Sequence, residues 1–350
     1  MPSTSRSTER RVAVIGGGIS GLAAAYLLTN DAKVAKVDDD DKPKTKVTLF
    51  EAEPRLGGHA LTAHSPSAGG NVDLGFQVFN LTTYPHLVGL FGALGVESES
   101  SDMSFALSTT NVEWGSLGLR GVFAQKKNMF SVKFLNMIRE IMRFGREAPS
   151  VLEDARAEEF EGTSLGEYLS RMGYSAFFKE NYVVPMCAAI WSCSDNDALA
   201  FPVRTLVRFW VNHHLLNIVE RPAWRVVRGR SKEYVDAVER ELEDVRTGAF
   251  VHAVTRGANG NKVIVQFAVT DAHGKKRIES EAFDDVVFAC HSDQALRMLG
   301  ASATEEETAA LGAIKYQDNV VYLHTDETLM PHSRDAWASW NCIKGDRLGN

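Results

Sequence analysis

Residues 12–15 are apolar without interruption, as expected of a strand buried on both faces. They run into Gly16-Gly17-Gly18-Ile19-Ser20-Gly21 and then into a small, apolar stretch ending at Leu28 that predicts a helix. A second apolar strand, residues 47–50, stops at Glu51. Beyond it the pattern turns helical. Residues 84–94 predict one helix, and Phe134, Leu135, Ile138, Ile141 and Met142 fall at the spacing of another. Ser164-Leu-Gly-Glu167 is a capping-box pattern that opens a third, with Leu165, Tyr168, Leu169 and Met172 on one side. The period then changes: a helix over 233–242, alternating strands over 249–255 and 262–269, a buried strand over 283–289 and a further strand over 319–324. Strand, crossover helix and strand in this order predict an α/β fold with a parallel sheet.

The glycine spacing gives the first crossover a chemistry. Gly16 suits a tight turn, Gly18 lets the backbone approach a pyrophosphate, and Gly21 lets helix pack closely on strand. The N–H groups at the helix start, around Ile19 and Ser20, would hold phosphate. Glu51 at the tip of the second strand would accept hydrogen bonds from a ribose diol and repel a ribose phosphate, which favours FAD or NAD over NADP. It lies 30 residues after Gly21, against about 20 in the usual motif. The excess falls in residues 31–46, a charged, proline-containing stretch that predicts a solvated surface insertion.

Composition narrows the class. The chain has 350 residues, 44% hydrophobic and 24% charged, enough for a large core and two domains. A net charge of -7 with no basic stripe gives no footprint for nucleic acid, so the partner is expected to be a small molecule. The four cysteines show neither Cys-x-x-Cys pairs nor metal-ligand spacing, which predicts free thiols and no metal site. Residues 1–10 read as a polar, disordered tail without a signal-peptide core, and no run reaches the roughly 20 apolar residues of a membrane helix. A cytoplasmic location is the expectation, with an organelle stroma as the alternative.

Glu51 is followed by Ala52-Glu53-Pro54-Arg55-Leu56-Gly57-Gly58-His59. A strand-end glutamate before a Gly-Gly turn resembles the flavin-containing amine oxidase and phytoene desaturase superfamily. Further segments narrow the resemblance, among them Val72-Asp-Leu-Gly-Phe-Gln-Val-Phe-Asn80, Pro185-Met-Cys-Ala-Ala-Ile-Trp191, Asn212-His-His-Leu-Leu216 and Arg221-Pro-Ala-Trp224. Together they are similar to the FAD-dependent oxidoreductase domain fused to plant cyclopropane fatty acid synthases and to its free-standing microbial relatives. The resemblance implies FAD as cofactor, with Gly16, Gly18, Ile19, Ser20, Gly21, Glu51, Ala52, Gly57, Gly58 and His59 around it. It implies a Rossmann-like, glutathione-reductase-type FAD-binding domain, residues 11–80 and 229–300, interleaved with an α+β substrate domain, residues 81–228 and 301–350. His59 stands where amine oxidases usually carry arginine; a dissociable FAD is expected. His291, at a strand-to-loop crossing beside the presumed flavin, is the candidate catalytic residue. No closing glycine segment follows, so a truncated C-terminal part is expected. The activity implied is hydride transfer from a small-molecule or lipid substrate to flavin. The alternative is a non-catalytic FAD-binding scaffold or partner subunit for a lipid methyltransferase. His213 and His214, Trp191, Trp210 and Trp224, and Cys187, Cys193 and Cys290 are weaker candidates, each with structural packing as the competing explanation.

Overall fold

The computed structural model describes residues 9–30, 44–217, 221–257, 262–270 and 274–345. The chain forms two compact units: residues 1–77, 86–99 and 226–321, and residues 78–85, 100–225 and 322–350.

The first unit is built on a four-stranded parallel sheet. Strand β1 (Glu9–Ile15) lies between β2 (Lys44–Phe50) and strand Asp285–Phe288, and strand Asp244–Arg246 adds to the far side of β2. Helix α1 (Ile19–Thr29) crosses over from β1 to β2 and buries Leu22, Ala25 and Tyr26. An antiparallel meander of Val251–Arg256, Val263–Thr270 and Lys276–Phe283 belongs to the same unit. Phe50 joins the two layers: its ring meets Phe267 at 4.8 Å and Phe283 edge-on at 6.0 Å. These contacts have the geometry in which aromatic pairs contribute beyond their buried area.

A charged cluster lies beside this core. The Arg246 guanidinium sits 5.2 Å over Phe50 and 5.3 Å over Phe267, and it pairs with Asp244 at 2.9 Å and Glu281 at 2.6 Å. Arg11 reaches the other oxygen of Glu281 at 2.8 Å. Burial alone would push the Glu281 carboxyl up, but hydrogen bonds from Arg246 and Arg11 outweigh it and hold the carboxyl below its ordinary range. Asp244 is lowered in the same way, burial being offset by Arg246 and Thr48.

The second unit is mostly helical. Its core centres on Phe144, whose ring lies 5.5 Å from Trp210, 5.7 Å from Tyr174 and 5.8 Å from Phe178. Helix Val132–Glu147 starts at a Ser131 cap, and Leu165–Arg171 opens with the full capping box of Ser164 and Glu167. A small sheet places Trp340–Ile343 parallel to Phe105–Ser108, with Glu113–Gly115 antiparallel on its other side. The buried Glu113 carboxylate ties this sheet to the loop that precedes Trp340, accepting from Ser108 Oγ at 2.7 Å and from the His332 and Ser333 amides at 2.8 Å.

Several expectations need correction. Residues 44–46 belong to β2 rather than to a surface insertion, and Glu9 and Arg10 belong to β1 rather than to a tail, because both stretches complete the parallel ladder between the two strands. Residues 1–8 and 31–43 lie outside the described residues. Residues 86–99 and 301–321 pack with the first unit. Phe91 sits 5.4 Å from the Tyr234 ring, and Arg256 pairs with Glu307 at 2.6 Å. Residues 319–324 form no ladder and are exposed, since apolar residues without a neighbouring strand have no partner for their backbone. Strand Lys276–Phe283 escaped the sequence pattern. Its charged, edge-facing side chains hide the alternation, and Phe283 ends this strand rather than beginning the next.

Two outcomes follow for stability. Because Glu281 and Asp244 have folded-state pKa values below their unfolded ones, their contribution is present above the ordinary carboxylate range and is lost as pH falls through the lowered values. Urea titrations across this acid range should show stability falling, with a shallower dependence in Arg246→Met. In the second unit, Phe144→Ala should cost about 3–5 kcal/mol in the same measurement at neutral pH.

Candidate dinucleotide site

Four parallel strands end together, and the candidate residues sit just past their C-terminal ends, where open α/β sheets bind ligands. The ends are laced by backbone bonds: Gly16 N–H to Phe50 O at 2.8 Å, Ala289 N–H to Ile15 O at 2.8 Å and Glu51 N–H to Arg246 O at 2.9 Å. Gly16 has φ +113°, and a Cβ there would lie 2.6 Å from the Ala289 carbonyl oxygen. A Cβ on Gly21 would run into the Gly16 carbonyl oxygen. The turn therefore requires glycine at both positions, and α1 starts directly against β1.

The second glycine pair closes on the first. Gly57 N–H donates to Gly17 O at 2.8 Å, and Gly18 and Gly57 form a parallel bridge. A Cβ on Gly58 would lie 3.0 Å from Gly18 Cα. By contrast, a Cβ on Gly18 would meet only Gly58 Cα, at 4.0 Å, so that side of the turn is open. The first turn of α1, with Ile19 and Ser20 exposed, carries no side-chain cap and no carboxylate. Its unpaired donors and positive dipole end are free to meet an anion.

Glu51 is held by two backbone donors. Gly17 N–H reaches one carboxylate oxygen at 2.6 Å, and Glu53 N–H reaches the other at 2.8 Å. An ionised carboxylate has about four acceptor sites, so about two stay available to a diol. Ala52 follows, exposed. Arg55 donates to the Gly58 carbonyl at 3.2–3.3 Å, placing its guanidinium on the turn. His59 is exposed, and its carbonyl accepts from Phe76 N–H at 2.9 Å; a Cβ on Gly75 would strike that same carbonyl.

His291 lies close by. Its ring is 6.0 Å from that of His59 and stacks on Tyr316 at 4.5 Å with the planes 14° apart. Tyr316 is itself fixed to the start of helix Ser292–Leu299: its hydroxyl accepts from Ser292 N–H at 2.9 Å and donates to Ser292 Oγ at 3.1 Å. The imidazole thus has a defined plane although it is exposed. Burial pushes the neighbouring Cys290 thiol up, which argues against a reactive thiolate.

In the second unit a cavity of about 270 Å³ is walled by Phe105, Trp114, Phe134, Met137, Ile141 and Trp340 among others. Tyr182 and Arg221 are among its few polar lining groups, and burial pushes the Tyr182 hydroxyl up to about 12. Trp191, Trp210 and Trp224 do not line it. Trp210 and Trp224 are core residues, and Trp191 packs on Phe201 and Phe209. His213 is a packing residue, stacked on Phe209 at 4.1 Å with Nδ1 2.9 Å from the Phe209 carbonyl. Burial raises the Cys187 and Cys193 thiols as well. Among the described residues no cluster of His, Cys, Asp or Glu could hold a metal ion, and no helix is long and apolar enough to cross a membrane.

The family profile described as flavin containing amine oxidoreductase matches residues 19–346. The chain belongs to this family. The cofactor is FAD, and the mixed α/β architecture is that of flavin amine oxidases. Among curated proteins, the FAD-dependent oxidoreductase dbaF of Emericella nidulans is 39% identical over 75 residues, 21% of this chain and 14% of its own length. The (S)-6-hydroxynicotine oxidase of Paenarthrobacter nicotinovorans is 24% identical over 269 residues, 74% of this chain and 56% of its own length. A solved putrescine oxidase variant shares the fold at a TM-score of 0.62 with 17% identity, covering 87% of this chain and 63% of that one. The chain therefore spans less than two thirds of the length of these relatives.

The site fits FAD: a cradle left open at Gly18, an uncapped helix start and a carboxylate braced by two backbone amides stand past the C-terminal ends of the parallel strands. Sequence reasoning passed over four of its residues. Gly17, Arg55 and Gly75 stood within the quoted motifs, but only the folded backbone shows what they contact. Tyr316 lies in a segment with no regular structure and gives no local signal. Gly18→Val should abolish flavin absorbance in a protein that still folds by circular dichroism. Glu51→Ala should weaken FAD binding roughly ten- to a hundredfold, the scale of charge-assisted hydrogen bonds, as read by fluorescence titration.

Proposed function

We propose that this amine oxidoreductase takes hydride from an apolar small molecule or acyl lipid. The observation that carries the substrate class is the apolar cavity of the second unit; the contact between the two glycine turns, which leaves backbone donors and Glu51 available at the Gly18 opening, carries the flavin side. In this proposal Gly16, Gly18, Ile19, Ser20 and Gly21 receive the pyrophosphate, Glu51 and Ala52 meet the adenosine ribose, and Gly57, Gly58 and His59 run beside the pyrophosphate and ribityl chain. Arg55 contributes a positive charge beside the turn. FAD, when bound, supplies the two-electron acceptor.

The rest is the work of the chain. The cavity walls favour a hydrocarbon or aromatic body, exclude water and leave Tyr182 and Arg221 to orient a polar end. His291, kept in plane by Tyr316, lies beside the flavin and takes or gives a hydrogen bond during substrate oxidation. The resemblance to the oxidoreductase domain of cyclopropane fatty acid synthases supports a lipid substrate.

Anaerobic mixing of the oxidised holoprotein with panels of amines, polyenes and acyl lipids tests this. Flavin bleaching by an apolar or acyl class is the expected result. His291→Ala should bleach more slowly with unchanged FAD content, and Tyr316→Phe, which keeps the ring but loses its anchor on Ser292, should slow bleaching by a smaller factor. If FAD binds, nothing bleaches it, and a lipid methyltransferase co-purifies with the protein and depends on it, the chain is a scaffold rather than an oxidoreductase.

A further inference from the structure

Between Glu113 and Glu140 the chain has no carboxylate, yet it carries Arg120, Lys126, Lys127, Lys133 and Arg139, in a protein of net charge -7. All five cations are exposed, and among the described residues none makes an ion pair or a side-chain hydrogen bond. Elsewhere arginines are commonly paired, as Arg11, Arg156, Arg246 and Arg256 are. The same stretch holds three of the most exposed large apolar side chains: Phe130 at 85%, Val132 at 81% and Leu119 at 78% exposed, with Leu117, Met129 and Leu135 also outside.

The backbone that presents them is well anchored. Asn128 is buried and donates from Nδ2 to the Glu113 carbonyl at 3.0 Å, Ser131 caps the helix that follows, and the Phe123 ring packs 6.1 Å from Phe134. Exposure of Phe130 and Val132 is therefore a property of a fixed turn. The other side of the stretch is a wall of the apolar cavity, through Val122, Phe134, Met137, Ile138, Ile141 and Met142. Met142 is half exposed, so the cavity and the outer surface meet on this helix.

From this placement we infer that residues 117–139 dock the protein on an anionic lipid bilayer. Apolar tips enter the headgroup boundary while lysine and arginine heads meet lipid phosphates and carboxylates. A protein partner fits less well, since lysine is depleted from protein interfaces, and an acidic chain needs a local cationic face to approach an acidic surface at all. Docking here sets the cavity wall against the membrane, where an apolar ligand resides. The inference stands on this surface alone and is independent of the redox proposal.

The test is co-sedimentation of the holoprotein with phosphatidylcholine vesicles, with and without phosphatidylserine, at low and high salt. Binding is expected with phosphatidylserine only, weakening with salt and by about fivefold for each cation neutralised, so that Lys126→Gln with Lys127→Gln loses roughly twenty-five-fold. Phe130→Asp and, separately, Leu119→Asp should also lose binding, with FAD absorbance and melting temperature unchanged. No binding to the acidic vesicles, or equal binding to both vesicle types, overturns the inference. So does self-association of the wild type that Phe130→Asp abolishes, which would make a second copy the occupant.

Discussion

Everything at the candidate site hangs on backbone touching backbone. The turn after β1 and the turn after β2 meet through Gly57 N–H and Gly17 O, with no side chain between them. A methyl group on Gly16, Gly21 or Gly57 would collide with a carbonyl oxygen, so the geometry tolerates no substitution there. Two loops 40 residues apart thereby act as one rigid rim, as the positions of Gly17 and Gly57 show. The carboxylate of Glu51 is part of the same rim, because its donor is the Gly17 amide. Preorganisation of this kind lowers the ordering cost of binding a long, flexible ligand.

Local pattern was enough for the elements whose stabilising partners are close in sequence. The β1 run, the glycine turn, α1 and the Ser164 capping box all appear where their residues imply, since each is specified within a few positions. The misses share the opposite property. Strand Lys276–Phe283 owes its state to an eight-residue ladder with Val263–Thr270, and its own charges disguise it. Residues 319–324 look like a strand but form no ladder with any described strand. Trp340–Ile343 is a strand only because Phe105–Ser108 lies beside it.

The site divides in the same way. Gly16, Gly18, Gly21 and Glu51 stood out because their spacing singles them out, and the fold brings them together at the ends of β1 and β2. Arg55, Gly75 and Tyr316 did not stand out, because their importance lies in a carbonyl or ring supplied from elsewhere. The tryptophans teach a related lesson. Trp191, Trp210 and Trp224 were weak candidates with packing as the competing explanation, and they pack, whereas Trp114 and Trp340 line the cavity.

The central position of β1 sets a schedule for the ribosome. Its neighbours in the sheet come from both ends of the chain: the Arg11 amide bonds to Asp284, 273 residues later. At about 5–20 residues per second, synthesis of that interval lasts roughly 15–55 seconds. For that time β1 has one ladder edge with no native partner, and the nascent protein carries a flat apolar strand through the window in which aggregation competes with folding. Chaperone demand should thus be set by the order of the strands along the gene more than by the final stability of the sheet.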